Sequence, residues 1–195
     1  MSGRGSRGQT PFEACVAGGG VVVFPADTVY GLACDPENAD AVARLYALKG
    51  RPPDKPAAVM FFDRERALAA LPELGPRTRG LCERLLPGGV TLLLPSDRFP
   101  LAGGTGTLGL RVPAGPVLAD VPVLQSSANH AGGPDARRLE DVPQAIRDGA
   151  DLVLDGGELA GTPSTVVDLT GYEADGEWRI VRAGAVPAEV IAAAA

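Results

Sequence analysis

Short apolar runs alternate along this chain with stretches of helical spacing, and that alternation limits the fold more than any single motif. The runs lie at 21–24, 57–62, 90–94, 108–112, 121–125 and 152–154, each of strand length. Ala39, Val42, Leu45 and Leu48 recur at helical spacing, between Asp35-Pro36 and Gly50, which act as start and stop signals. Asp63 predicts an N-cap for a helix through Leu71. Further helices are expected over 77–86, 139–147 and 187–195. Segments 165–169 and 178–181 predict a hairpin with Asp175-Gly176 in its turn. Residues 25–34 read as a polar loop with Asp27 and Thr28 at its turn. Alternating strands and helices predict a single α/β domain over 11–195, with a twisted, mixed parallel and antiparallel sheet flanked by helices. Residues 1–10, rich in Gly, Ser and Arg, read as a disordered tail.

Composition removes several classes of function. No apolar run reaches the roughly 18 residues of a membrane span, and the first residues hold no apolar signal-peptide core. Cys15, Cys34 and Cys82 are isolated and His130 is the one histidine, a poor set for zinc. The cysteine usage points to a reducing, cytoplasmic setting. A net charge of −6 argues against gripping nucleic acid by bulk charge. Of 18 basic residues only two are lysines, Lys49 and Lys55. Both flank Arg51 in a segment whose prolines forbid a helix, so a specific use for an ammonium is expected there.

Polar clusters stand where apolar runs end, the usual place for ligands in α/β sheets. Five loops qualify: 25–30, 49–55, 101–106, 125–129, and 163–165 with Arg182. Glycines and hydroxyl residues dominate three of them. Backbone N–H groups and hydroxyls cradle phosphate and carboxylate oxygens, while Lys and Arg supply charge. There is no GxxxxGK[ST] loop, no GxGxxG after a strand and no GxSxG elbow. The lone histidine argues against a Ser-His-Asp triad. Any nucleotide chemistry here rests on positioning and electrostatics.

Seven blocks, in order, resemble the YrdC-like family of L-threonylcarbamoyladenylate synthases. They are the stretch from Phe24 to Leu32 (FPADTVYGL), that from Leu48 to Pro56 (LKGRPPDKP), and that from Leu86 to Leu92 (LPGGVTL). Leu110-Arg111-Val112-Pro113, Ser126-Ser127-Ala128-Asn129, the stretch from Pro163 to Asp168 (PSTVVD) and Arg182-Ala183-Gly184-Ala185 complete the set. The resemblance implies a twisted α/β sheet with a deep positive cavity. It implies synthesis of threonylcarbamoyl-AMP and pyrophosphate from L-threonine, bicarbonate and ATP with Mg2+, and a downstream transferase that modifies tRNA. By the same resemblance Lys49 and Arg51 would bind ATP phosphates and the carboxylated threonine, with Lys55 at the cavity wall. Ser127 and Asn129 would hold the nucleotide, Ser164 and Thr165 would lie nearby, and Arg182 would close over the phosphates. Thr28 joins the binding set, and Arg111 would support the site.

The chain departs from the family pattern at Ala26 and Ala102, where threonines with ligand-contacting hydroxyls are expected, and 116–122 is short, as if a helix were trimmed. Two other classes of function fit the same residues. One is a double-stranded RNA or tRNA binding module using a patch of Arg44, Lys49, Arg51 and Lys55. The other is an enzyme that adenylates or hydrolyses a different carbamate. Several residues also have plainer readings: a solvated proline loop at 49–55, a helix cap at 126–129, a surface loop for His130, an Asx-turn for Asp27. Residues 103–106 fit either a flexible loop or a lid.

Overall fold

A computed structural model describes residues 9–52, 55–102 and 106–195. Its nine strands are β1 (Val22–Pro25), β2 (Tyr30–Cys34), β3 (Ala58–Met60), β4 (Val90–Pro95), β5 (Thr107–Arg111), β6 (Val123–Ser127), β7 (Leu152–Val153), β8 (Thr165–Asp168) and β9 (Arg179–Arg182). They form one sheet in the order β7-β1-β2-β6-β3-β5-β4-β8-β9. The β1–β7, β3–β5 and β4–β8 pairs are parallel and the rest antiparallel, so the sheet is mixed as expected.

Side chains alternate across a strand, and the alternation divides the core in two. Val21 and Val23 join the larger cluster, Val22 and Phe24 the smaller. The larger cluster lies under α2 (Ala39–Lys49), α3 (Arg64–Ala69), α4 (Pro76–Leu85), α5 (Gln144–Gly149) and α7 (Ala188–Ala194). Among the described residues, α1 (Pro11–Ala17) alone packs on the opposite face, where Phe12 meets Phe24 and Phe62 edge-on. Helix boundaries follow side-chain chemistry. Asn38 caps α2 through the Ala41 N–H, and Gly50 ends it at φ 58°, a left-handed angle that favours glycine. Asp63 accepts from the Arg66 N–H and opens α3.

Five expectations need correction. Residues 30–34 are a buried strand, not loop. β2 pairs with β1 on one side and β6 on the other, and its small residues admit close neighbours: a Cβ at Gly31 would lie 2.9 Å from Gln125 Nε2 and 3.0 Å from Phe24. The helix expected over 139–147 is divided by Pro143 into a 3-10 turn at Leu139–Asp141 and α5. The β8–β9 pair is antiparallel, but its connection holds a short helix, α6 (Tyr172–Asp175), closed by Gly176 at φ 82°. The strand expected at 121–125 runs two residues later, so Ser126 and Ser127 are strand residues. Finally, the unpredicted α1 starts at Pro11 on a capping box between Thr10 and Glu13. Of the tail expected at 1–10, residues 1–8 lie outside the described residues, while Thr10 is structured as that cap. No helix joins β5 to β6, in line with the short 116–122 segment.

Candidate functional site

The same alternation builds the site. On β4, β5 and β6, Leu92, Leu94, Leu108, Leu110 and Leu124 enter the larger core. Their neighbours Thr91, Leu93, Thr107, Gly109, Arg111, Gln125 and Ser127 face the other way and line a cavity of about 250 Å3. One sheet face is therefore covered by α1 over one half and carries the cavity on the other. Gly109 keeps the floor low, since a Cβ there would stand 3.3 Å from the Ala58 Cα.

Four of the five expected loops reach this cavity, through Thr28, Arg51, Ser126 with Ser127, and Ser164 with Arg182. The fifth does not. Leu101 and Ala102 line a separate cavity of about 510 Å3 beside α2, which shares only Arg51 and Pro56 with the first. The lid reading of 103–106 falls on 103–105, outside the described residues. A larger cavity of about 700 Å3, between α1 and 117–122, holds none of the expected residues.

Of the ten residues expected in the site, Thr28, Arg51, Arg111, Ser127, Ser164 and Arg182 line the cavity. Thr28, a lining residue, is 4% exposed and its Oγ1 is buried without a hydrogen-bond partner among the described residues. Arg51 leans over the Tyr46 ring and donates to the carbonyls of Lys55, at 3.2 Å, and Pro56. Its Nη1 lies 3.5 Å from Ser126 Oγ. Arg182 donates to the Ser164 carbonyl at 2.8 Å, and Ser164 Oγ pairs with Thr91 Oγ1 at 2.8 Å. Arg111 is buried and bound to Asp27 at 2.6 Å. Burial pulls its pKa down while Asp27 opposes the shift. Its charge is thus neutralised within the protein, which leaves Arg51 and Arg182 as the cations of the wall.

Lys49, Asn129, Thr165 and Lys55 stand elsewhere. Lys49 is only 2% exposed, and its ammonium donates to the Ser127 carbonyl, the Asn129 carbonyl at 2.7 Å and Asn129 Oδ1 at 2.8 Å. An ammonium has three N–H groups, so none is left for a ligand in this arrangement. Burial, and then Arg51, pull the Lys49 pKa down to about 8, with Asp135 opposing. The Asn129 amide is equally committed: Oδ1 also accepts from Ser127 Oγ at 2.7 Å, while Nδ2 donates to the Gly133 carbonyl at 2.7 Å and faces Asp135 Oδ1 at 3.5 Å. Together they form a latch that pins the end of β6 to the end of α2. Thr165 is fully buried, and its hydroxyl bridges the Val186 carbonyl and N–H. Lys55 is exposed, outside the cavity lining. Ala26 packs in the smaller core, and Ala102, in the larger core, lines the neighbouring cavity of about 510 Å3, so neither is in the lining of the first cavity.

Sequence reasoning missed Asp135 and Thr91, and named Gln125 only as the start of the 125–129 loop; all three line the cavity. Thr91 and Gln125 sit inside expected strands, and only the pairing of β4, β5 and β6 shows which face they take. The chemistry available is anion binding by guanidinium and hydroxyl groups. No cysteine or histidine lines the cavity among the described residues. His130 is exposed, and burial pushes the Cys34 and Cys82 thiols up to about 12.

The family model described as telomere recombination, Sua5/YciO/YrdC, matches residues 14–184. The threonylcarbamoyl-AMP synthase of Pyrococcus abyssi is 34% identical over 185 residues, 89% of this chain and 53% of that protein. The threonylcarbamoyl-AMP synthase of Pseudomonas paraeruginosa is 38% identical over 167 residues, 77% of this chain and 86% of the relative. Among solved structures, P. abyssi Sua5 complexed with L-threonine superposes with a TM-score of 0.82 at 30% identity, over 93% of this chain and 55% of that one. The chain thus spans about half the length of the P. abyssi relative.

Proposed function

The chain belongs to the Sua5/YciO/YrdC family, and on that premise we propose that it is an L-threonylcarbamoyladenylate synthase. Threonine's amine and bicarbonate condense to a carbamate with loss of water, a carbamate oxygen attacks the α-phosphorus of ATP, and pyrophosphate leaves. The observation that supports this most is a cavity walled by Arg51 and Arg182 and floored by hydroxyl residues, with Thr28, whose hydroxyl is unpartnered, at its edge. The reaction gathers a carbamate and a triphosphate, all anionic, so its barrier falls with preorganised cations and donors rather than with a covalent nucleophile. Arg51 and Arg182 present guanidinium forks suited to phosphate and carboxylate oxygens. Thr28 lines the same cavity with a hydroxyl that has no protein partner, so a small side-chain rotation would offer it to a polar substrate group. At about 250 Å3 the cavity is smaller than the roughly 300–1,000 Å3 of a drug-sized ligand site. It therefore takes the reacting end, with the nucleoside beyond its mouth. Mg2+ accompanying the ATP supplies charge neutralisation on the phosphates and the leaving pyrophosphate.

The product, a mixed anhydride of a carbamate and a phosphate, is an activated acyl donor. A separate transferase then moves the threonylcarbamoyl group to tRNA in the cytoplasm. No helix among the described residues is long and apolar enough to cross a membrane. The RNA-binding alternative has less support, because burial takes Lys49 out of its patch and leaves Arg44, Arg51 and Lys55.

Pyrophosphate release separates the readings. It should require ATP, bicarbonate and threonine together. Release without threonine would favour another carbamate, and absence of nucleotide binding at millimolar ATP with Mg2+ would end any adenylation role.

A further inference from the structure

We propose that Asp135 is the protein's ligand to a divalent cation carried in with the nucleotide, an inference that rests on the adenylation reading. Asp135 is the one acidic side chain lining the cavity among the described residues. The nearest alternative, Asp27, is bound to Arg111 at 2.6 Å and is absent from the lining. Asp135 has no such counter-ion: no cation lies within 4.0 Å of it among the described residues. Its one hydrogen bond is the long contact from Asn129 Nδ2 to Oδ1, at 3.5 Å. The nearby Lys49 ammonium, which feels its charge, has all three N–H groups directed at other acceptors.

A carboxylate open to a cavity of cations and hydroxyls is out of place if the ligand is an anion alone, because it repels that anion. A divalent cation between the two turns repulsion into attraction. Mg2+ is usually held by one or two carboxylates together with substrate phosphates, and keeps several waters. One carboxylate beside a phosphate site is that donor set. With a single carboxylate from the protein, the phosphates supply the remaining charge, so on this proposal the metal arrives with the nucleotide. The buried, unpartnered Thr28 Oγ1 on the same cavity independently marks it as shaped for a ligand.

The test compares ATP binding by calorimetry to the full chain and to Asp135→Asn, with Mg2+ and with EDTA. Asn keeps the size and an acceptor for Asn129, and Asp135→Ser with thermal melting checks that the fold survives. Wild type should bind ATP at least tenfold more tightly with Mg2+ than without. Asp135→Asn should lose most of that ratio, while binding metal-free ATP as tightly as wild type or more so. Mn2+ paramagnetic resonance should show the ion held in the wild-type ternary complex and little held without nucleotide. Equal weakening of both binding modes would make Asp135 a support for Asn129 and overturn the proposal. Equal strengthening of both would make it a mere repulsive charge and overturn the proposal as well. Metal-independent ATP binding by wild type would overturn the proposal alone, whereas no ATP binding in any condition would overturn the adenylation reading beneath it.

Discussion

Replacing Lys49 by Met should change the pH dependence of stability more than the stability itself. Two effects oppose each other at this side chain. Burial disfavours the ammonium, while three oxygen acceptors around it favour the charged form. With burial dominant, the folded-state pKa falls from 10.5 to about 8. The folded chain then releases this proton near pH 8, while the unfolded chain keeps it to about 10.5. Between those values the unfolded state binds more protons, so the lysine's contribution to stability rises with pH. The gap of about 2.5 pH units, at roughly 1.4 kcal/mol each, corresponds to about 3 kcal/mol. Urea unfolding of wild type and Lys49→Met at pH 7, 8, 9 and 10 measures it, because other titrating groups cancel in the difference. Wild type should gain on the variant across that range, approaching 3 kcal/mol above pH 10. A flat difference would mean that Lys49 is not desolvated. A difference that shrinks as pH rises would mean that the acceptors win and hold the ammonium above its ordinary range, refuting the reasoning.

Three further outcomes follow from the same geometry. Arg111→Met strands the buried Asp27 carboxylate, so it should cost about 3–5 kcal/mol; urea unfolding should show most of the loss recovered by adding Asp27→Leu. Thr28→Val deletes a hydroxyl with no protein partner. Its melting temperature should hold or rise while calorimetric affinity for the substrate that the hydroxyl contacts drops about tenfold, or roughly 1.4 kcal/mol. Ala26→Thr inserts atoms into the packed smaller core, and Ala102→Thr into the wall of the neighbouring cavity of about 510 Å3, both outside the lining of the Arg51–Arg182 cavity. Each should destabilise by about 1–3 kcal/mol and leave the ratio of catalytic efficiencies for threonine and serine unchanged.

The elements legible in the sequence are those whose cause is local. β1 announces itself by three consecutive valines, α2 by its spacing between Asp35-Pro36 and Gly50, and α3 by the Asp63 cap. The capping box of α1 was equally local, in Thr10, Pro11 and Glu13, and the tail composition around it hid the signal. β2 was hidden for a different reason. Gly31 and Ala33 carry little strand preference, and what makes them strand is pairing with β6, some 90 residues away. The site divides in the same manner. Which side-chain types would gather was legible, because polar clusters followed apolar runs. Which of those groups would be free was not. Lys49 meets its acceptors 78 and 80 residues along the chain, and Arg111 meets Asp27 84 residues back. Each partnership removes a cation that composition alone would assign to the ligand. The charge a substrate meets is therefore what remains after internal pairing: Arg51 and Arg182 on the wall, with Asp135 opposing them. That remainder combines anion-binding groups with one uncompensated carboxylate, which is why a metal-bound nucleotide suits the cavity better than a bare anion.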